Sequence, residues 1–341
     1  MGATSRPRPG GGGGLVPEQV MTGSLRILLT GANGQLGQDL QAVLSGRPPD
    51  GGDPGSAVAS AADRVVASAE QVTVLATDID TLDVADRGAV EDAFEEFSPE
   101  VVVHAGAYTA VDACESDADT AFAVNGAGTR HIAESSARAG AHLLYVSTDY
   151  VFDGNSERPY QEADKPNPRS VYGRSKLAGE VEVARSSRGA TVVRTAWVSG
   201  AHGSNMTGTI LGLGARPDGG PLRFVDDQHG SPTFTADLAP AIVRLAIERR
   251  PGTFHVTNQG TTSWFEFARA VLTVAGLDPG RVEPITTSQL DPPRPAPRPT
   301  NSRLDNAALR LAGLPLLPAW EDALARLVPV LLKAADHAPV G

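Results

Sequence analysis

Residues Leu25–Gly37 read LRILLTGANGQLG, and the fold follows from this stretch. Leu25, Ile27, Leu28, Leu29 and Thr30, with one Arg among them, predict a short and mostly buried strand. Gly31, Gly34 and Gly37 follow at three-residue spacing, and Leu36, Leu40, Val43 and Leu44 then repeat with a helical period. A strand, a glycine turn and a helix are the setting in which such a loop binds a dinucleotide. Gly31 allows the tight turn, Gly34 lets backbone approach a pyrophosphate, and Gly37 lets the helix pack close to the sheet. The helix start adds unpaired N–H groups and the positive end of a dipole. The spacing is GxxGxxG rather than GxGxxG, so the loop alone identifies only a broad class.

The 341 residues are enough for one large α/β unit or two smaller ones. Hydrophobic residues at 41% and charged residues at 20% are ordinary for a globular chain. A formal charge of −11 argues against nonspecific nucleic-acid binding, although a local Arg cluster could still hold a small anion. Cys114 is the only cysteine, so no intramolecular disulfide can form, as suits a reducing compartment. No apolar run is long enough to cross a bilayer, and the N-terminal residues lack the apolar core of a signal peptide. The expectation is a cytoplasmic protein with no nucleic-acid or membrane partner.

Residues 1–23 are Gly/Pro-rich and predict a disordered tail, with Met21 an alternative start. Residues 24–198 alternate strands and helices, which predicts a doubly wound, Rossmann-type parallel sheet. The predicted strands are Val72–Ala76, Val101–His104, His142–Ser147 and Ala190–Thr195; the helices are Ala85–Phe97, Ala118–Gly140 and Ser170–Ser186. Residues 46–70 interrupt this pattern as a turn-rich insertion ending in a short surface helix. They lack the apolar pattern of a core element, so shortening them should leave the fold close to intact. Residues 199–335 lack a second phosphate loop and suit a smaller substrate lobe, some of whose segments return to the sheet. Helices are expected at Thr235–Glu248, Trp264–Ala275, Asn306–Ala312 and Ala319–Ala335, and a strand at Gly252–Thr257.

Asp78 ends the second strand, where an acid can meet an adenosine ribose. It lies beyond the usual ~20 residues from the loop, the excess being the insertion, and Asp80, Asp83 and Asp86 compete for the role. Tyr172 and Lys176, in VYGRSKLAGE, stand four apart on one helical face. A Lys beside a phenol favours phenolate and lowers its pKa, so that the Tyr can exchange a proton with an alcohol or ketone oxygen. On spacing alone, a packed Tyr beside a solvated Lys is the better reading. Ser147-Thr148-Asp149-Tyr150 changes the balance, because it places hydroxyls at the carboxyl end of the preceding strand, where open α/β sheets bind ligands.

These motifs together are specific. GANGQLG, STDYVFDG (Ser147–Gly154) and YGRSK resemble the extended short-chain dehydrogenase/reductases. AGAYTAVDACE (Ala105–Glu115), AVN (Ala123–Asn125), RTAWVSG (Arg194–Gly200), DQHGSPTF (Asp227–Phe234) and RPTNSRLDN (Arg298–Asn306) narrow the resemblance to the dTDP-4-dehydrorhamnose reductase family, over essentially the whole chain from Leu25.

The resemblance implies a catalytic triad of Thr148, Tyr172 and Lys176. It places Gly31, Gly34, Gln35, Leu36 and Gly37 on a cofactor pyrophosphate, Asp78 on the ribose side, and Asp83 and Val84 by the adenine. Ala105, Gly106, Ala107 and Tyr108 line the cofactor cleft, Gly106 standing where the family usually has Ala. Asp149, Tyr150, Trp197 and Asn205 face a dTDP-sugar. The cofactor is NADPH or NADH: Asp78 suits a free 2′-hydroxyl, and the family admits both. A diphosphate on the sugar side needs its own donors, for which Arg223, Arg294 and Arg298 are candidates unless they are solvated charges. Trp197 packs either on the sugar or in a core. Some members associate through Mg2+ on C-terminal acids, which LVPVLLKAADHAPVG scarcely offers, so a metal is not expected and the chain is read as a monomer or homodimer. The same motifs leave open an epimerase or dehydratase of the superfamily, and a noncatalytic subunit like methionine adenosyltransferase β.

Overall fold

The computed structural model describes residues 24–68, 71–187, 189–216 and 219–336. The tail of residues 1–23, with Met21, lies outside these, as do residues 69 and 70 of the insertion. The first half runs β1 (Leu25–Thr30), α1 (Gln35–Leu44), α2 (Ala57–Ser68), β2 (Val72–Thr77), α3 (Arg87–Phe97), β3 (Val101–His104), α4 (Val111–Ser116), α5 (Ala118–Phe122), a π-helical turn (Ala123–Gly128), α6 (Thr129–Ala139), β4 (His142–Thr148), α7 (Val171–Ser186) and β5 (Thr191–Thr195). The second half runs β6 (Val198–Ser199), α8 (Met206–Gly214), β7 (Leu222–Val225), β8 (His229–Gly230), β9 (Thr233–Phe234), α9 (Thr235–Ile247), β10 (Gly252–His255), β11 (Thr262–Ser263), α10 (Trp264–Val274), β12 (Val282–Ile285), α11 (Ala307–Leu311) and α12 (Trp320–Asp336).

Six parallel strands form the central sheet in the order β10-β5-β4-β3-β1-β2. Successive connections run outward in opposite directions from β1 and β3, which makes their carboxyl ends the topological switch point where such sheets bind ligands. One face, with Ile27, Leu29, Val101, Val103 and Leu144, is covered by α1 and α9. The other, with Leu28, Val102, Leu143 and Tyr145, lies under α3, α6 and α7. A third apolar cluster joins α8, α10 and α12 outside the sheet through Ile210, Phe267, Val271, Trp320 and Leu324. No helix among the described residues is long and apolar enough to cross a membrane.

The structure corrects two expectations. The insertion is not all surface: Val58, Ala61 and Ala62 on α2 are buried, and α2 packs along α9. Its stripe is mostly alanine, too weakly apolar to stand out in sequence. Arg326 of α12 donates to Gly51 O at 3.0 Å and grips both oxygens of Asp237 on α9 at 2.7 Å, tying the insertion to the end of the chain. The predicted helix Ala118–Gly140 is broken by the π turn, which swings Asn125 inward. Its side chain accepts from Tyr108 N and donates to Tyr108 O and Ser175 Oγ.

Candidate active site

The glycine loop is shaped by close backbone approach. Gly31 has φ +74°, and a Cβ there would lie 2.7 Å from Gly106 N; at Gly37 it would lie 2.1 Å from Gly31 O. Gly34 caps α1 with no side chain in the way, and Leu36 packs on the core. Gln35 reaches from α1 to Val198 O at 3.4 Å, leaving its Oε1 buried without a partner. Asp78 sits beside the loop and accepts from Asn33 N and Ile79 N, both at 2.8 Å. Of its competitors, Asp86 caps α3, and Asp83 is exposed, accepting from Ala85 N at 2.9 Å. Val84 is buried, its carbonyl facing His131 Nδ1 at 3.1 Å.

Ala105, Gly106, Ala107 and Tyr108 leave the end of β3 half-buried beside the loop. A Cβ on Gly106 would come within 3.2 Å of Thr30 Oγ1, so the Ala usual at this point would be tight. Beneath them a hydrogen-bond chain crosses the sheet. Gly106 N donates to Thr30 Oγ1 (3.2 Å), which meets His104 Nδ1 (2.7 Å), and His104 Nε2 meets Thr129 Oγ1 (3.1 Å). Burial, with the Lys176 charge, pushes His104 down to about 3, so the ring is neutral. Thr129 donates to Asn125 O at 2.8 Å, which assigns the imidazole proton to Nε2. Asn125 and Ser175 then carry the chain to Tyr172 O. The sequence reading gave Asn125 no role; its appearance as AVN in a family motif was the available signal.

The predicted triad is gathered between β4 and the start of α7. Ser170 caps α7 through Gly173 N, and Glu115 on α4 accepts from Val171 N at 2.7 Å. Gly173 lets α7 touch the turn after β4, since a Cβ would fall 2.2 Å from Tyr150 O. Tyr172 is buried against Tyr150, edge to face with centroids 5.5 Å apart, with Thr148 beside its phenol. Lys176 Nζ donates to Val146 O at 2.8 Å and lies 4.2 Å over the Tyr145 ring. Burial lowers Lys176 to about 7, against the pull of Glu180. Here too the expectation changes: burial holds the Tyr172 phenol well above its usual pKa, helped by Asp149, and Lys176 is spent on a carbonyl. The phenol is therefore a proton donor at neutral pH. Behind it, Glu180 makes a buried bidentate pair with Arg194 (2.9 and 2.7 Å) and accepts from Ser147 Oγ at 2.6 Å. Glu180 follows Lys176 by one helical turn, a spacing that could have flagged it.

The remaining candidates divide. Asp149 is 2% exposed; its Oδ1 accepts from Thr148 Oγ1 at 2.9 Å and its Oδ2 has no partner. Burial lifts it to about 6, with Ser302 and Thr148 pulling back. Tyr150, pushed up to about 12 by burial, meets Arg298. Arg298 is not a free anion receptor, because both its Nη atoms bond Asp112 on α4; Asp112 is held down to about 2 chiefly by Arg298. Arg294 is 3.5 Å from the same carboxylate, and exposed Arg223 pairs instead with Glu283 on β12. Asn205 caps α8 through Gly208 N (3.0 Å) and donates to Gly200 O (2.8 Å), so its amide is employed within its own loop. Trp197, at φ +47°, stacks face to face on Trp264 with centroids 3.6 Å apart. Among the described residues, no group of three or more His, Cys, Asp and Glu side chains is arranged to hold a metal.

A glycine cradle at the switch point, with a protonated Tyr, a Thr and a Lys at the next strand end, defines a Rossmann-type oxidoreductase of the short-chain dehydrogenase/reductase class. Comparisons narrow this. The family described as RmlD substrate binding domain matches residues 51–332. A dTDP-4-dehydrorhamnose reductase of Streptomyces griseus is 41% identical over 92% of this chain and 96% of its own. A Clostridium acetobutylicum structure of a dTDP-4-dehydrorhamnose reductase ortholog is 37% identical with a TM-score of 0.80, covering 90% of this chain and 99% of the other. That of the Bacillus anthracis reductase in complex with NADP is 35% identical with a TM-score of 0.77, covering 89% and 98%. The chain belongs to the RmlD, or dTDP-4-dehydrorhamnose reductase, family.

Proposed function

We propose that this chain reduces the C4 ketone of dTDP-4-dehydro-L-rhamnose with NADPH or NADH, giving dTDP-L-rhamnose. The observation that carries the reading is the gathering of Thr148, buried Tyr172 and buried Lys176 at the strand end beside the glycine cradle. The cradle fits a dinucleotide: side chains at Gly31 and Gly37 would fill it, and Gln35 and Leu36 open α1 with first-turn N–H groups for a pyrophosphate, while Gly34 N is used within the turn on Gly31 O. Asp78 and Asp83 lie on the adenosine side with Val84, and Ala105–Tyr108 border the nicotinamide side. When bound, the cofactor supplies hydride to C4.

Tyr172 gives its proton to the oxygen that develops charge, and Thr148 orients that oxygen. Lys176, one proton of which is committed to Val146 O, keeps others with which to hold a ribose hydroxyl. Asp149 Oδ2, buried and unpaired, can accept from a sugar hydroxyl. Trp197, flattened on Trp264 with Gly230 against its indole, and Tyr150, beside Arg298, are the aromatic groups for the deoxysugar side. Arg298 shapes that side by anchoring its segment to Asp112.

The test mixes purified full chain with dTDP-4-dehydro-L-rhamnose and each reduced cofactor, following nicotinamide absorbance and the sugar product. Stoichiometric oxidation with dTDP-L-rhamnose formed is expected. Sugar conversion without net oxidation would instead favour an epimerase or dehydratase, and binding without conversion a noncatalytic subunit.

A further inference from the structure

Trp197 leaves the sheet in a conformation that bulky side chains rarely adopt. Its φ is +47°, and strain of that kind persists only where the surroundings fix it, as at ligand clamps. Thr233 N pins the peptide by donating to Trp197 O at 3.3 Å, and the pairing of β6 with β9 follows at once. Thr148 of β4 is paired with Thr195 of β5, so Trp197 stands two residues past the level of Thr148, at the same carboxyl end as the triad.

The indole is held from two directions. Trp264, which opens α10, lies within 6° of parallel to it with centroids 3.6 Å apart. Aromatic pairs left to themselves prefer offset or edge-to-face arrangements at about 4.5–7 Å, so the neighbours impose this sandwich. Against the flank that carries Nε1, Cε2 and Cζ2 stands Gly230, where a Cβ would fall 2.2 Å from Cε2. One ribbon delivers both groups: β8 and β11 pair Gly230 with Thr262 and His229 with Ser263, and Trp264 comes next in the chain. The Ser263 hydroxyl accepts from Glu266 N, capping α10, and donates to Asp226. Phe267, 1% exposed, stands edge-on to both indoles. The two indoles themselves stay half-buried, which leaves apolar surface open beyond the end of β5.

We propose that Trp264 and Gly230 are positioning residues that clamp Trp197 as a rigid wall for the sugar ring of the substrate, and so set affinity for the sugar and not for the nucleotide or the cofactor. This rests on the reductase reading, which puts a deoxysugar beside Trp197. A ring free to turn must be ordered when the sugar arrives, whereas a clamped ring has lost that freedom on folding. A fixed aromatic wall suits the C–H face and the methyl group of a deoxysugar. Swinging the indole off Trp264 would break the stack, and tilting it toward Gly230 would meet backbone.

Circular dichroism and calorimetry on the full chain test this. Stacked indoles couple, so the far-ultraviolet spectrum should contain a two-signed couplet that Trp197→Phe and Trp264→Phe each abolish. Trp264→Ala should weaken binding of dTDP-L-rhamnose by about three- to tenfold, the range for aromatic pairs, while the Kd values of dTDP and NADPH stay within about twofold. The KM for the ketone should rise in step with little change in kcat, as for an interaction made equally in ground and transition states. Trp264→Phe keeps a ring face and should restore most of the affinity. Gly230→Ala crowds the same indole from the ribbon and should reproduce the sugar-specific loss even if Trp264→Ala fails to fold. Absence of the couplet, parallel losses for dTDP and dTDP-L-rhamnose, or unchanged sugar affinity in the variants overturns the inference, and ketone turnover by the wild type then leaves the reductase reading standing. A wild-type chain that shows the couplet but neither binds dTDP-L-rhamnose nor turns over the ketone overturns the reductase reading, and the inference with it.

Discussion

The glycine loop and the segment at residues 291–305 border the same site but are held by different means. The loop is fixed by backbone fit and short-reach bonds: Gly31 against Gly106, Asn33 N on Asp78, Gly106 N on Thr30. The later segment is held by side chains that reach far along the chain. Arg298 bonds Asp112 across 186 residues, and Asn301 donates to Ser156 O and Arg158 O across 145 and 143. Function in the first region follows from spacing, because spacing alone determines where backbone N–H groups point. In the second it depends on which charge finds which partner. An Arg that reads as an anion receptor in sequence is already neutralised in the fold.

If the strand-end region carries the chemistry, its variants should lose turnover, while those of the later segment should alter binding modestly. Tyr172→Phe keeps the ring and removes the donor, so kcat should fall by about 10²–10⁴ with the cofactor Kd nearly unchanged. Near-normal kcat would erase the contrast between the regions. Glu180→Gln leaves Arg194 buried without its counter-charge behind the triad and should cost about 3–5 kcal/mol in a urea titration. A loss below about 1 kcal/mol would show that water reaches this pair.

Asp39 tests how the helix that follows the glycine loop is seated. It lies on α1, 1% exposed, with neither oxygen hydrogen-bonded and His202 of the 198–205 loop 3.6 Å away. Burial raises it from 3.8 to about 6, so the folded chain binds the proton more tightly than the unfolded one. Stability is therefore lost as pH rises from about 4 to about 6, and the penalty persists above that. Asp39→Asn should match wild type in Tm near pH 4 and exceed it at pH 8, where its unfolding free energy should be greater by about 3 kcal/mol. Equal Tm at both pH values would mean that His202 compensates the charge.

The smallest effect belongs to the later segment. Arg298→Ala should raise the sugar-nucleotide KM by about fivefold or less, because Asp112 is partly solvated, and should leave nicotinamide Kd alone. The anchor is present above the ordinary carboxylate pKa and weakens as pH falls toward about 2, where Asp112 protonates. Equal losses for both ligands would place the segment against the cofactor.

Much of this was legible. The strand-loop-helix at Leu25–Leu44 follows from apolar period and local spacing, whereas Thr148, Tyr172 and Lys176 were singled out as a triad only through the family resemblance. The electrostatics did not follow. The sign of the Tyr172 shift depends on burial and on where Lys176 Nζ donates, neither of which spacing contains. The buried face of α2 was hidden because alanines at positions 61 and 62 carry little hydrophobic signal until α9 lies against them. Asn205 shows the converse: a family position can read as a ligand contact while its amide is occupied in capping a helix.

The placement of β10 and α9 bears on how the chain is made. Both come after Phe234, yet β10 completes the sheet against β5, and α9 lays Leu238, Ala239 and Ile242 over the strands that begin it. A nascent chain that has left the ribosome only as far as Gly200 carries β1, β3 and β4 with one apolar face covered by α1 but not by α9, and with the β5 edge unpaired. Such a surface pairs with neighbouring chains. The nucleotide-binding half must therefore wait, shielded by other factors or by speed, until about a further fifty residues emerge to cover it.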